Sequence, residues 1–107
     1  MKSSSYTVEY LPLAQKDLIE IATYIADVIS DTKIAYEFVE NMIREFDFLS
    51  TFPYKNQTFI PIKPLKYEYR VIPFKNYHAY YFVNEEMKIV TIVRVLHQKR
   101  NAIDSIE

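Results

Sequence analysis

The 107-residue sequence predicts an α+β domain: a helical hairpin packed on a small antiparallel sheet, in the order β-α-α-β-β-β. Two observations carry this. Apolar residues recur at three- and four-residue steps from Ala14 to Leu49, the period of helices with one buried face. Beyond Tyr69 that step is replaced by short runs rich in Val, Ile, Tyr and Phe, separated by polar turn residues. Composition agrees, since 50% hydrophobic and 25% charged residues are ordinary for a globular chain. The length suits one domain with one core, here assigned to residues 1–107.

In order along the chain, Tyr6, Val8 and Tyr10 alternate with Thr7 and Glu9, as a half-buried strand does. Pro12 suits the first turn of a helix, where its missing N–H costs nothing, and Ala14, Leu18, Ile21, Ala22, Ile25 and Ile29 carry that helix to about Ser30. Ser30-Asp31-Thr32 stops it and supplies caps for the next. Ile34, Ala35, Phe38, Val39, Met42, Ile43, Phe46 and Leu49 mark a second helix ending before Pro53. Tyr54–Pro64 shows neither period and reads as a loop. Three strands follow over Tyr69–Phe74, Tyr77–Val83 and Met87–Leu96, with Asn76 and Asn84 expected to take the positive-φ turn positions that glycine usually fills. Pro73 places its strand at a sheet edge or at its own end. Gln98–Glu107 is expected to form a short terminal helix.

The missing residue types exclude more than the present ones suggest. Gly, Cys and Trp are all absent. Without glycine there is no P-loop, dinucleotide fingerprint, nucleophile elbow or GXXG clamp, because each needs backbone that only glycine permits. Without cysteine there is no disulfide, thiolate nucleophile or thiolate zinc site. With only His78 and His97, a histidine-rich metal centre is not expected, and neither a cofactor nor a metal is assigned. The first residues hold no signal-like apolar run, and no stretch approaches the roughly 18 apolar residues of a membrane helix, so a soluble, cytoplasmic protein without a membrane partner is expected.

The net charge of −1 conceals a division: residues 1–50 carry −5, residues 51–107 carry +4, and residues 55–100 alone carry +6. Clustered Lys and Arg concentrate polyanions, so the second half is the expected meeting place with an anionic target. The first half, with Asp17, Glu20, Asp27, Glu37, Glu40 and Glu45, offers an acidic helical surface able to steer a basic segment. The seventeen Phe and Tyr residues fall mostly on core periods and read as packing, leaving Phe52, Tyr54 and Phe59 in the loop as the aromatics available for stacking. The densest polar group closes the last strand: Arg94, His97, Gln98, Lys99, Arg100 and Asn101. Cations there can hold phosphates, and a histidine can move protons near neutral pH. Arg70 is the other cation able to converge with them. No carboxylate pair or serine triad stands out.

Over residues 6–101 the chain resembles toxins of the RelE/ParE superfamily of type II toxin–antitoxin modules. The resemblance lies in Tyr6-Thr7-Val8-Glu9-Tyr10 before the helix Ala14–Ile25, in Leu49–Pro53 closing the second helix, in Tyr69-Arg70, and in Arg94-Val95-Leu96-His97-Gln98. It implies the β-α-α-β-β-β fold and a cognate antitoxin that wraps the toxin. Two branches differ in their target. Ribonuclease members, similar to RelE and YoeB, cut mRNA on the ribosome with cations on the first two strands of the final sheet segment and acid/base groups near its end. Arg70 fills one of those cationic places and two others fall on Ile72 and Ala79; His97 falls where YoeB-like members carry a catalytic histidine, with Gln98 in place of the tyrosine that follows it there, and Lys99 and Arg100 lie beside it. The ParE branch poisons DNA gyrase without those nuclease residues. The chain is similar to it in the Tyr-Arg opening, the apolar and aromatic middle strand after His78, and the Arg94–Gln98 run; it departs from it at Lys99-Arg100-Asn101.

Three functions follow from the resemblance. The preferred one is a ParE-like toxin that inhibits DNA gyrase by binding, with Arg70, Arg94, His97, Gln98, Lys99 and Arg100 as target contacts. The second is a ribosome-dependent mRNA interferase with Arg70, His97, Lys99 and Arg100 as catalytic residues. The third is a non-toxic module that retains only its antitoxin.

Overall fold

Four strands and two long helices make up the structure, a computed structural model that describes residues 5–107. The start of the chain, where no signal-like run is expected, lies outside the described residues. Strand β1 (Thr7–Tyr10) is followed by helix α1 (Pro12–Ile29), helix α2 (Thr32–Phe46), a 3₁₀ turn (Asp47–Ser50), and strands β2 (Arg70–Phe74), β3 (Tyr77–Asn84) and β4 (Ile89–His97). The expected order of elements is the observed one. No helix among the described residues is long and apolar enough to cross a membrane.

Local chemistry explains the helix boundaries. Pro12 occupies the first turn of α1, and Ser30 ends it in the left-handed region at φ 53°. Asp31 caps α2, its Oδ1 accepting from the N–H groups of Lys33 (2.9 Å) and Ile34 (3.1 Å).

The sheet order is β1-β4-β3-β2. The last three strands form an antiparallel meander, as expected, but β1 lies parallel to β4, so the sheet is mixed. Between Tyr80↔Arg94 and Tyr81↔Ile92 the register slips by one, leaving Val93 without a partner on β3. β2 is an edge strand, as Pro73 required. Its outward Val71 N–H donates to the Gln57 carbonyl (3.0 Å), and the next outward position is Pro73, which has no N–H.

The two faces of the sheet have different covers. Under the helices, Ile72, Ala79, Tyr81, Val90, Ile92 and Val95 pack against Ala14, Leu18, Ile21, Met42, Phe46 and Leu49. On the other face Tyr69, Tyr80, Val93 and Leu96 are covered by Ala102 and Ile106 of the tail. That tail is not the expected helix. Asn101 Oδ1 accepts from Ile103 N–H (3.1 Å) and Ser105 Oγ donates to the Asn101 carbonyl (3.1 Å), which holds residues 98–107 in successive turns. Glu107 Oε2 then accepts from Lys66 N–H (2.6 Å) and the Tyr69 hydroxyl (2.9 Å).

The turns also differ from expectation. Lys75 (φ 54°) and Lys88 (φ 56°), not Asn76 and Asn84, take the left-handed positions. Asn84 acts through its side chain instead, with Oδ1 accepting from Met87 N–H at 3.0 Å. Beside that turn, Glu85 gathers three donors: the Lys88 ammonium, the Tyr54 hydroxyl (2.6 Å) and the Tyr6 hydroxyl (2.8 Å). These three hold its carboxyl down from an ordinary 4.5 to about 2, and the hydrogen bond to Glu85 in return pushes the Tyr54 hydroxyl up to about 12.

Two outcomes follow. A side chain in the left-handed region costs about 1 kcal/mol relative to glycine, so Lys75→Gly stabilises the fold by about that amount in urea denaturation. Because the Glu85 carboxyl is depressed by folding, its contribution is present above pH 4.5 and lost as pH falls through about 2. The stability gap between the native chain and Glu85→Gln therefore narrows on acidification, as denaturation midpoints at pH 7, 4 and 3 will show.

Candidate target-binding surface

The residues singled out at the end of β4 divide between the two sides of the sheet. On the helix side, His97 and Arg100 line a hollow of about 170 Å³ with Glu20 and Tyr24 of α1 and with Tyr77 of β3. The imidazole stands edge-on to the Tyr77 ring, with centroids 5.7 Å apart. Its Nδ1 accepts from Lys99 N–H (3.2 Å), which leaves Nε2 directed elsewhere and keeps Lys99 on the adjoining exposed turn. Gln98, one residue on, lines a groove of about 810 Å³ on the opposite side. Alternation along the strand separates the two.

That larger groove runs between the loop at 55–60 and the open sheet face. Val71 and Pro73 line its base, and Asn56, Gln57, Thr58, His78, Tyr80 and Gln98 supply polar groups without a carboxylate. His78 and Tyr80 were not among the sequence candidates. The period was nevertheless visible: His78, Tyr80 and Phe82 share one face of β3, and Tyr77, Ala79, Tyr81 and Val83 share the other.

Arg94 is not available to a target. Its Nε and Nη2 donate to both carboxylate oxygens of Asp17 (2.8 and 2.9 Å), and Nη1 donates to the Ser105 carbonyl (3.0 Å). The hydrogen bonds to Asp17 hold the guanidinium still more firmly protonated than usual. Asp17 in turn is only 6% exposed and also accepts from Val95 N–H at 2.9 Å. It is therefore an internal partner of β4 and not part of the acidic helical surface where it was expected.

Arg70 does not converge with His97. Register places both on the helix side, Arg70 opposite Tyr81 and His97 opposite Tyr77. They lie four residues apart along β3, about 13 Å at the rise of a strand, with buried Ala79 between. The Arg70 guanidinium is engaged locally, donating to the Asn56 carbonyl (2.8 Å), facing Glu68 (3.7 Å) and standing over the Tyr54 ring (5.1 Å). Of the loop aromatics, Tyr54 thus belongs to the Arg70 and Glu85 contacts and Phe59 packs edge-on to Tyr80, while Phe52 stays exposed. Ile72 and Ala79 are buried, paired with each other, and form part of the core beneath the helices. Among the described residues no cluster of His, Cys, Asp and Glu has the makings of a metal site.

A helical hairpin over a mixed four-stranded sheet, with exposed cations at the end of its last strand, is the fold of type II toxins of the RelE/ParE superfamily. The chain is similar in fold to the chromosomal ParDE system of P. aeruginosa, with 16% identity, TM-score 0.72, and 89% and 98% of the two chains covered. It is also similar to a mutant of the E. coli toxin RelE in the free state, with 13% identity, TM-score 0.64, and coverage of 95% and 93%. The RelBE2 toxin–antitoxin complex of Mycobacterium tuberculosis matches at 26% identity, TM-score 0.52, and 87% and 98% coverage. No curated protein sequence matches significantly. The model of the ParE toxin of the type II toxin–antitoxin system, parDE, matches residues 8–102, and the chain belongs to that family.

Breaking the Asp17–Arg94 pair leaves a charge buried without its partner, so Asp17→Ala lowers stability by about 3–5 kcal/mol. Urea denaturation of Asp17→Ala, Arg94→Ala and the double variant will show a double loss smaller than the sum of the single ones.

Proposed function

We propose that this toxin acts in the cytoplasm by binding DNA gyrase, not by cutting RNA, and that a cognate antitoxin neutralises it. The observation that carries this reading is the fate of the phosphate-holding positions. Ribonuclease catalysis asks for cations converging on one phosphate, with an acid/base group at hydrogen-bond distance. Here Ile72 and Ala79 are core, and Arg70 is held by loop carbonyls well away from His97; Arg94, expected as a gyrase contact, is spent on Asp17 and drops out of that set. His97, Lys99 and Arg100 remain as an exposed basic edge, and Gln98 as a polar contact on the other side. Such an edge suits recognition of an acidic protein or protein–DNA surface. The antitoxin follows from family membership and from the toxin–antitoxin complexes among the structural neighbours.

One observation favours the ribonuclease reading: His97 and Arg100 share a hollow with Tyr24 and Tyr77, so an imidazole, a guanidinium and two phenols line one small space. A single pair of assays separates the two. With purified chain at micromolar concentration, DNA supercoiling by gyrase is inhibited, and the double variant Lys99→Glu/Arg100→Glu weakens inhibition at least tenfold. Translating ribosomes retain intact mRNA under the same conditions. Uninhibited gyrase together with codon-phased cuts that vanish in His97→Ala would replace the proposal with the second reading. If both assays stay silent and induction leaves growth untouched, only the antitoxin-binding role survives.

A further inference from the structure

Two isoleucines stand almost fully in water on a loop that the fold ties down at both ends. Ile60 is 86% exposed and Ile62 94%. Pro61 and Pro64 fix φ around them and donate no hydrogen bond. On one side, Phe59 N–H donates to the Tyr69 carbonyl (2.7 Å), and the Phe59 ring packs edge-on to Tyr80. On the other, Leu65 packs against the second core and Lys66 N–H donates to Glu107 Oε2 (2.6 Å). A single exposed apolar residue needs no explanation, but these two line a common hollow of about 320 Å³, shared with Arg100, Ala102 and Ile103 of the tail.

Arg100 gives that hollow its charge. Arg44 is bonded to Asn41, Arg70 to loop carbonyls and Arg94 to Asp17. Among the described residues, Arg100 is the one arginine whose guanidinium has neither a hydrogen bond nor an ion pair. Lys63, next to Ile62, faces Asp104 at 4.0 Å, so the uncompensated charge belongs to Arg100. Arg100 also lines the helix-side hollow with His97, which makes the loop a continuation of the proposed target-binding edge.

Shape and charge together select an occupant. The hollow has room for one large apolar side chain, and a carboxylate beside that side chain can pair with the guanidinium through two parallel hydrogen bonds. A second copy of this chain in a two-fold contact would set Arg100 against Arg100, which disfavours self-association.

We infer that the Ile60–Ile62 loop and Arg100 clamp a segment of the toxin's target protein in which a large apolar side chain stands close to an Asp or Glu, an inference resting on the reading of this chain as a gyrase-binding toxin. The apolar group enters between the isoleucines and Ile103, and the carboxylate reaches Arg100. The loop thus adds an apolar anchor to an edge otherwise made of charged and polar groups.

The test uses the intact chain with gyrase holoenzyme, and matched induction in cells that lack the antitoxin. Ile60→Ser/Ile62→Ser alters exposed positions only, and circular dichroism and urea denaturation check that it folds. It raises the concentration for half-inhibition of supercoiling at least 30-fold and abolishes growth arrest. Ile62→Ser alone gives at least a fivefold rise, should the double variant prove unstable. Ile60→Leu/Ile62→Leu keeps both activities, and so does Met87→Ser, at a 67% exposed position on the β3–β4 turn. Adding Arg100→Gln to the serine variant costs less than the two effects taken separately, as groups on one partner segment do. Full inhibition and full growth arrest by the serine variants would overturn the inference. So would a loss confined to antitoxin affinity, or sedimentation of the free chain as a dimer that the serine variant splits without loss of toxicity. If the gyrase reading alone fails, the native chain leaves supercoiling untouched yet arrests growth, and the serine variant loses that arrest. If the inference alone fails, native and serine forms inhibit gyrase equally. A native chain that neither inhibits gyrase nor arrests growth overturns both.

Discussion

Where β1 ends, β4 loses its parallel neighbour, and a carboxylate takes over. Leu11 N–H still reaches the Ile92 carbonyl (2.9 Å), but the edge of β4 beyond it has no strand beside it. Asp17, one turn into α1, accepts the Val95 N–H there and binds Arg94 through both oxygens. Arg94 also reaches the Ser105 carbonyl, so one ion pair joins the first helix, the last strand and the tail that covers the far sheet face. Removing a carboxylate with three donors leaves each donor searching for water in a site that has little. A pair of this kind contributes mainly by fixing one arrangement. It determines how α1 leaves the sheet, and therefore where Tyr24 and Glu20 stand relative to His97.

That placement shows why the fold was largely legible and the site only partly so. Periodicity is a local property, and the steps at Ala14, Leu18 and Ile21, or at Met42, Phe46 and Leu49, revealed the buried helix faces without knowledge of any partner. The same period places Asp17 between Ala14 and Ile21 on the inner face of α1. An acidic residue at a core position signals a buried partner. The partner lies 77 residues away, and nothing local identifies it as Arg94. Turn chemistry was harder still. In a chain without glycine, any polar residue can be pressed into the left-handed region, and register chose Lys75 and Lys88 over the two asparagines. The tail misled for a related reason: its Asn, Asp and Ser side chains satisfy the backbone locally and compete with a helix.

The charge division survives in the folded molecule, with one exchange. Pairing Asp17 with Arg94 removes one acidic charge from the helical half and one basic charge from the sheet half, so both fields are weaker than the counts imply. What remains is a mostly acidic hairpin and a basic strand end that meet at Tyr24 and Tyr77. A partner able to recognise both must itself carry both signs in order along its length. That requirement is more selective than net charge, because a uniformly basic or acidic segment is repelled at one end.

The proposed choice of binding over catalysis at this surface rests on distance. Proton transfer and phosphate stabilisation ask for groups within about 3 Å of the reacting atoms, held by rigid elements. Here the register works against convergence: Arg70 on β2 and His97 on β4 stand opposite Tyr81 and Tyr77, four residues apart on β3, in a register that the core residues Ile72, Ala79 and Val95 enforce. A one-residue slip to bring other side chains inward would turn those apolar groups away from the helices that bury them. Polar groups so separated favour the proposed reading of an extended contact surface, because each contact there acts on its own part of a partner and none has to reach a common point.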